Sequence, residues 1–376
     1  MICMQPEATD RSRCGALGLC NFSRAVFLVV FSFGLAGGVA VAADKRSKPD
    51  TAQSQVHSIE VVARPLAGFE RLNASRTRFG PLEWIGGLVL TSRDRFFGGW
   101  SGLAMDADGA RLVAVSDAGT WMTADLIYRE GRPHALARVK LGPLKARDGG
   151  PLRRDRDRDA EAVVLMRGSV GHGQVLVSFE QNHRLGICQI GKNGVAPPSR
   201  YLPLPKDARR MNSLKGFEAV AHVRSGRFKG AIIAFAERLH DRNGNHTGWI
   251  LSGGHAARFA LKDIAGFDLT DAVGLPNGDV IVLERRFRWT EGIKMRMRRI
   301  SSGEISAGAL IEGEVLLEAN MAQEIDNMEA ISAHRARDGS TILTLMSDDN
   351  FNGFLQRTLL LQFKLHDEAA DKRATF

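Results

Sequence analysis

The chain reads as an all-β protein, a single β-propeller whose simplest count is six four-stranded blades, with five or seven as alternatives. Three observations predict it. A unit recurs along the sequence, its period lies in the fifties, and short apolar strands with glycine turns nearly replace long helical periodicity. Each copy opens with a small-plus-acidic signature and an apolar strand, turns at a glycine, and returns along a second apolar strand that ends in an acid. The copies are Ser101-Gly102-Leu103-Ala104 to Val115-Ser116-Asp117, Ala160-Glu161-Ala162-Val163 to Ser178-Phe179-Glu180, Phe217-Glu218-Ala219-Val220 to Phe235-Ala236-Glu237, Asp271-Ala272-Val273-Gly274 to Val282-Leu283-Glu284, and Met328-Glu329-Ala330-Ile331 to Met346-Ser347-Asp348.

The spacing sets the blade size. Gly102 to Glu161 is 59 residues, Glu161 to Glu218 is 57, Glu218 to Asp271 is 53, and Asp271 to Glu329 is 58. Leucine-rich repeats are far shorter, whereas four strands with loops fit this length. Residues 44–101 add about one period and the chain after Glu329 nearly fills another, which gives six. Pairing of N- and C-terminal strands would close the ring and remove its exposed edges. Inside the repeats, Asp106-Ala107-Asp108-Gly109, Pro276-Asn277-Gly278 and Arg337-Asp338-Gly339 read as hairpin turns. The first resembles the start of an EF-hand loop but lacks the downstream acid, so it is read as a turn.

The ends divide from the domain. Arg11, Arg13 and Arg24 precede an uncharged apolar run from Ala25 to about Val41, followed by Ala40, Ala42 and Ala43 and then Asp44-Lys45-Arg46. This predicts a Sec-type signal peptide over 1–43, cut after Ala42 or Ala43, and a periplasmic or secreted product with no stable membrane insertion afterwards. Residues 44–56 read as a flexible lead-in, 57–366 as the propeller domain and 367–376 as a polar tail. Cys3, Cys14 and Cys20 fall in the leader, so Cys188 is the sole cysteine beyond it. That excludes an intramolecular disulfide and a cysteine metal cluster there, and the apolar setting Leu185-Gly186-Ile187-Cys188 predicts a buried residue.

The whole chain carries +9; the leader holds three basic and two acidic residues, which leaves +8. A basic surface favours anionic ligands, here a small anionic ester or phosphoester. Nucleic acid is not expected: the basic residues are spread out, and 2 Tyr give little stacking surface. There is no G-x-S-x-G elbow, P-loop, H-E-x-x-H or dinucleotide fingerprint.

The repeat itself points to a site. In a propeller blade the innermost strand lines the channel and the next returns antiparallel to it. The start of one and the end of the other therefore meet at the same mouth. This pairs Glu161 with Glu180, Glu218 with Glu237, Asp271 with Glu284, and Glu329 with Asp348, while Gly102 leaves Asp117 alone. Crowded carboxylates stay ionised only beside a compensating cation, and an all-oxygen donor set favours Ca²⁺. The candidate metal ligands are Asp117, Glu161, Glu180, Glu218, Glu237, Asp271, Glu284, Glu329 and Asp348. Arg184, Arg238, Arg285 and Arg286 follow the second-strand acids and would bind an anionic substrate. Glu218, Glu284 and His183 are the candidate catalytic groups. The alternating run Arg153 to Asp159 reads as a solvated loop or as a cover over the mouth. Recurrent Glu–Arg pairs locking blade to blade are the alternative reading of the same residues.

The same stretches resemble a known family, the phytase-like β-propellers described by an "esterase-like activity of phytase". The resemblance rests on Ser101-Gly102-Leu103 through Ser116-Asp117, Gly216-Phe217-Glu218-Ala219, Leu283-Glu284-Arg285-Arg286-Phe287, Asn327-Met328-Glu329-Ala330-Ile331 and Ser347-Asp348-Asp349-Asn350-Phe351, within about residues 80–365. It implies a secreted or periplasmic propeller that hydrolyses phosphate or other esters. Three readings follow: a cation-dependent hydrolase, a non-catalytic propeller that binds a ligand or partner at its channel mouth, and a lactonase-like ester hydrolase.

Overall fold

The computed structural model describes residues 55–211 and 216–366. The expected signal peptide, most of the lead-in and the polar tail lie outside the described residues. The rest forms five β-sheets in sequence around an axis. Blade 1 runs through Trp100–Met105, Arg111–Ser116, Thr120–Arg129 and Arg132–Pro143, and blade 2 through Ala160–Ser169, His172–Phe179, Arg184–Gly191 and Gly194–Tyr201. Blade 3 holds Phe217–His222, Ile232–His240, His246–Ser252 and His255–Leu261; blade 4 holds Asp268–Gly274, Val280–Arg288, Gly292–Ile300 and Glu314–Ala319. Blade 5 combines Met328–Arg335, Thr341–Ser347 and Thr358–Leu365 with Leu82–Thr91.

That last blade corrects the expected count of six. The two terminal segments each looked like a separate period, but they are parts of one blade. Leu82–Thr91 pairs antiparallel with Thr358–Leu365, from Thr358 opposite Leu90 to Leu365 opposite Leu82. Chain ends therefore close the ring within a shared sheet, and the edges that these two terminal strands offer each other are paired.

The core tells the same count. Five apolar clusters lie between neighbouring blades, and the five inner strands pack against one another in cyclic order. Val163, Val175 and Val177 of blade 2 join Val113, Val115 and Trp121 of blade 1; Leu176, Ile187 and Leu185 face Val220, Ala234 and Trp249 of blade 3. Strands buried on both faces read as continuous apolar runs, which is why these segments lack polar alternation. Cys188 lies in the blade 1–blade 2 cluster, and burial pushes its thiol up to about 12. Near the axis the backbones are so close that side chains do not fit everywhere. A Cβ on Gly102 would lie 2.7 Å from the Cα of Ala162, so the first inner strand packs its backbone on the second. The three expected hairpin turns are present, each closed by a glycine N–H to a carbonyl three residues back: Gly109 to Asp106, Gly278 to Leu275 and Gly339 to Ala336. No described helix is long and apolar enough to cross a membrane.

Candidate functional site

Each inner strand begins with a one-residue register shift against its neighbour. The residue left over is Ser101 in blade 1, Glu218 in blade 3, Thr270 in blade 4 and Glu329 in blade 5, and Glu161 lies in the same shift of blade 2. A bulge of this kind re-aims a side chain, here toward one end of the channel. The matching residue on the second strand donates its backbone N–H to the residue two before the bulge. Asp117 donates to Gly99, Glu180 to Asp159, Glu237 to Gly216 and Asp348 to Asn327. In blade 4 the residue in register there is Arg285, opposite Asp268. The mouth is thus built from Ser101 and Asp117, Glu161 and Glu180, Glu218 and Glu237, Thr270 and Arg285, Glu329 and Asp348.

Two sequence candidates fall outside this set. Asp271 and Glu284 stand one residue away from the rim positions, on opposite sides of the bulge. Asp271 is buried under the rim, where its carboxylate accepts the backbone N–H groups of Ala272 and Ile331 at 2.7 and 2.8 Å and so fastens the inner strands of blades 4 and 5. Glu284 points into its own blade. Its Oε2 accepts Arg296 Nε at 2.7 Å and Arg298 Nε at 2.9 Å, with all three side chains at most 2% exposed. The acid that gives blade 4 its repeat signature is therefore one half of a buried ion-pair cluster, not a wall of the mouth.

The acids that do reach the mouth gather most tightly at blades 2 and 3. Ligand oxygens of Asp159, Glu161 and Glu180 lie within 4.8 Å of one another, and so do those of Glu180, Glu218 and Glu237. Glu180 belongs to both groups. Burial, then Asp159, Glu180, Asp117 and Glu329, hold Glu161 well above the usual carboxylate range. Burial, then Glu161, Glu237 and Glu180, do the same to Glu218, and burial with Asp117 and Glu329 does it to Asp348. Like charges brought together out of water favour the protonated form unless a cation enters, so the donor set fits a hard divalent ion.

Asp159 was missed in the sequence because it closes the charge run. That run forms a short helix, Asp155–Arg158, with Arg158 buried, and Asp159 follows two residues before Glu161. Its Oδ2 accepts Gln181 Nε2 at 2.6 Å. The signal was available: residues i and i+2 of an extended chain share a face.

The arginines separate by role. Arg285 enters the acidic mouth: its Nη1 donates to Asn327 Oδ1 at 2.5 Å and its Nε lies 3.4 Å from Glu329 Oε1. Glu329 is the main cause of its raised pKa. Arg238 is half exposed, donates to Asp268 at 3.0 Å and stands 3.7 Å from Glu237. Arg286 turns away; it donates to the Ala265 carbonyl and to Glu291 at 2.8 and 2.7 Å, over the Phe267 ring. Arg184 stacks on Phe179 at 3.8 Å and lines, with Arg153, Arg154, His183 and Tyr201, a groove of about 730 Å³ beside the acids. His183 packs where Gly216 leaves room: a Cβ there would meet its Nδ1 at 2.7 Å and the Glu180 Cα at 2.9 Å.

A family model described as "Phytase-like: Esterase-like activity of phytase" matches residues 95–351, about two thirds of the chain. The chain belongs to this family. Those residues run from the approach to blade 1 to the loop after Asp348, so the match contains every rim position. Comparison with curated proteins finds no match. Among solved structures, the chain is similar to the crystal structure of the Myceliophteria thermophila Cps50 (Swd1) beta-propeller domain, with 11% identity, 82% of this chain and 99% of that chain covered, and a TM-score of 0.36.

Proposed function

We propose that this phytase-like propeller is an exported, cation-dependent hydrolase of phosphoesters or related esters, with its centre at the mouth of blades 2 and 3. One observation carries the reading: two carboxylate triads, each within 4.8 Å, joined through Glu180. Ca²⁺ is the first choice, because every donor is oxygen and the cage is irregular. Asp159, Glu161, Glu180, Glu218 and Glu237 would hold it, with Asp117, Glu329 and Asp348 completing the rim. When bound, such an ion polarises a phosphoryl or carboxyl oxygen and offsets the negative charge of the site.

The protein groups divide the remaining work. Arg285 stands among the acids as a fixed donor for an anionic substrate, and the groove lined by Arg184 and His183 lets such a substrate lie alongside. His183, against Glu180, is placed to take or give a proton on the groove side. Glu284 has no part in this chemistry, since Arg296 and Arg298 occupy its oxygens.

The test is an assay of the purified chain on phosphomonoesters, carboxylic esters and lactones, with Ca²⁺ and with chelator, beside melting curves under both conditions. Absence of turnover on all three, together with an unchanged melting temperature, would sink the proposal. A cation-dependent melting shift without turnover would favour the second reading, a binding propeller. That reading draws on the contact of Arg285 with Glu329 and Asn327, which already compensates one acid of the rim.

A further inference from the structure

A cleft of about 580 Å³ runs between blades 2 and 3, from the strand ends opposite the acids, at His222 and His255, to Leu202, which it shares with the groove beside the acids. It lies within the roughly 300–1,000 Å³ range of small-molecule sites. Its position follows from the strands. His222 ends the inner strand that carries Glu218 near its start, so four residues, about 13 Å of extended chain, separate these two side chains.

The chemistry of this cleft is opposite to that of the mouth. Its ionisable lining residues are Arg167, Arg200, His222 and His255, with no carboxylate among them. Arg167 spends its donors on a neutral acceptor, Gln174 Oε1, at 3.2 and 3.1 Å, which leaves its charge unbalanced. Neither Arg167 nor Arg200 makes an ion pair among the described residues. Deeper in, the Nδ1 of His222 is buried without a hydrogen-bond partner among the described residues. The imidazole therefore brings an unsatisfied polar group to the floor of the cleft. Apolar side chains share the walls with these polar groups: Leu202 and Leu251 face the cleft, from opposite blades.

We propose that this cleft binds a free, slender amphiphile with one anionic head, of the medium-chain carboxylate class. The head would lie between Arg167, Arg200 and the His222 ring, and the chain along Leu202 and Leu251. Charge complementarity decides against neutral and cationic amphiphiles, and the confinement between two blades decides against a flat surface.

Isothermal titration of the full chain with decanoate, below its micellar range, tests this. The expected result is one-to-one binding that the Arg167→Ala/Arg200→Ala double variant weakens at least about tenfold. Both side chains are exposed, so the variant should fold, and its melting curve checks that. A second variant, Ser252→Trp, fills the lip of the cleft without touching a charge and should abolish binding. Equal binding of decyltrimethylammonium, equal binding of acetate, or decanoate binding untouched by either variant would each overturn the proposal. Association with phosphatidylglycerol vesicles in the absence of decanoate binding would also overturn it, in favour of a membrane surface.

Discussion

In blade 3 the acids of the repeat, Glu218 and Glu237, face the channel mouth. In blade 4 the acids of the same signature, Asp271 and Glu284, stand one residue off those positions, and Thr270 and Arg285 occupy them. A strand has a side-chain period of two, so a shift of one residue sends a group to the opposite face. Glu218 thereby joins a carboxylate cluster, while Glu284 joins Arg296 and Arg298 inside the sheet. Similar acids in successive repeats thus end in opposite settings, a carboxylate cluster at the mouth in one blade and a buried ion-pair cluster in the next. The same shift places a cation, Arg285, at the point where the ring of acids would otherwise continue.

The sharpest way to break this comparison is to remove each acid in turn. Glu284→Ala strands two buried guanidinium groups and should destabilise the fold by about 3–5 kcal/mol in chemical denaturation. If the variant melts like wild type, Glu284 is not the structural acid described here. Glu180→Gln should do the reverse. It removes a like charge shared by both triads, so the metal-free protein should be at least as stable as wild type. Its Ca²⁺-dependent gain, about 2.7 kcal/mol for wild type at a hundredfold excess over Kd, should vanish. A Glu180→Gln variant that still responds fully to Ca²⁺ would remove the triads from the proposal.

Smaller effects sharpen the same contrast. Position 102 is the blade 1 counterpart of Asp271, and Gly102→Ala should cost about 1–3 kcal/mol by pressing on Ala162, with no change in cation response. Arg285→Gln takes the one cation out of the rim positions. Ca²⁺ should then bind a few-fold more tightly and an anionic substrate a few-fold less tightly, read as KM; opposite changes would mean that Arg285 only braces Glu329.

The pH dependence should be the mildest signal. Glu161, Glu218 and Asp348 have raised folded-state pKa values, from burial first and neighbouring acids next. The folded state therefore favours their protonated forms. Their contribution to stability is fully present below the ordinary carboxylate pKa of about 4 and is lost as pH rises through the folded values. With chelator, the melting temperature should fall from mildly acidic toward neutral pH; saturating Ca²⁺ should flatten or reverse that slope. A chelated protein whose melting temperature rises over this range would contradict the crowding.

Much of the site was legible because its signal is local. Glu161, Glu218 and Glu329 each sit second in an inner strand, Glu180 and Asp348 each follow a second strand, and Glu237 lies in one, two residues past its last pairing with the inner strand's body at Phe235. Blade 4 misled because its signature, Asp271-Ala272-Val273-Gly274, resembles Glu218-Ala219-Val220 by residue type, while the pairing of Leu269 with Glu284 sets the register one residue earlier. No composition rule reveals that shift. The blade count failed for a related reason: spacing measures the distance between repeats but not which half-repeats share a sheet.

Sequence alone determined the all-β propeller, the turn positions, the burial of Cys188 and the family, because these follow from strand periodicity, glycine placement and recurring short motifs. Only the tertiary structure decided that five blades close the ring, that Asp159 belongs to the mouth, that Arg285 rather than Arg286 stands there, and that Glu284 does not. The physical reason is that strand pairing across the ring and the one-residue bulges are long-range choices. They depend on which backbone groups meet after the chain has closed.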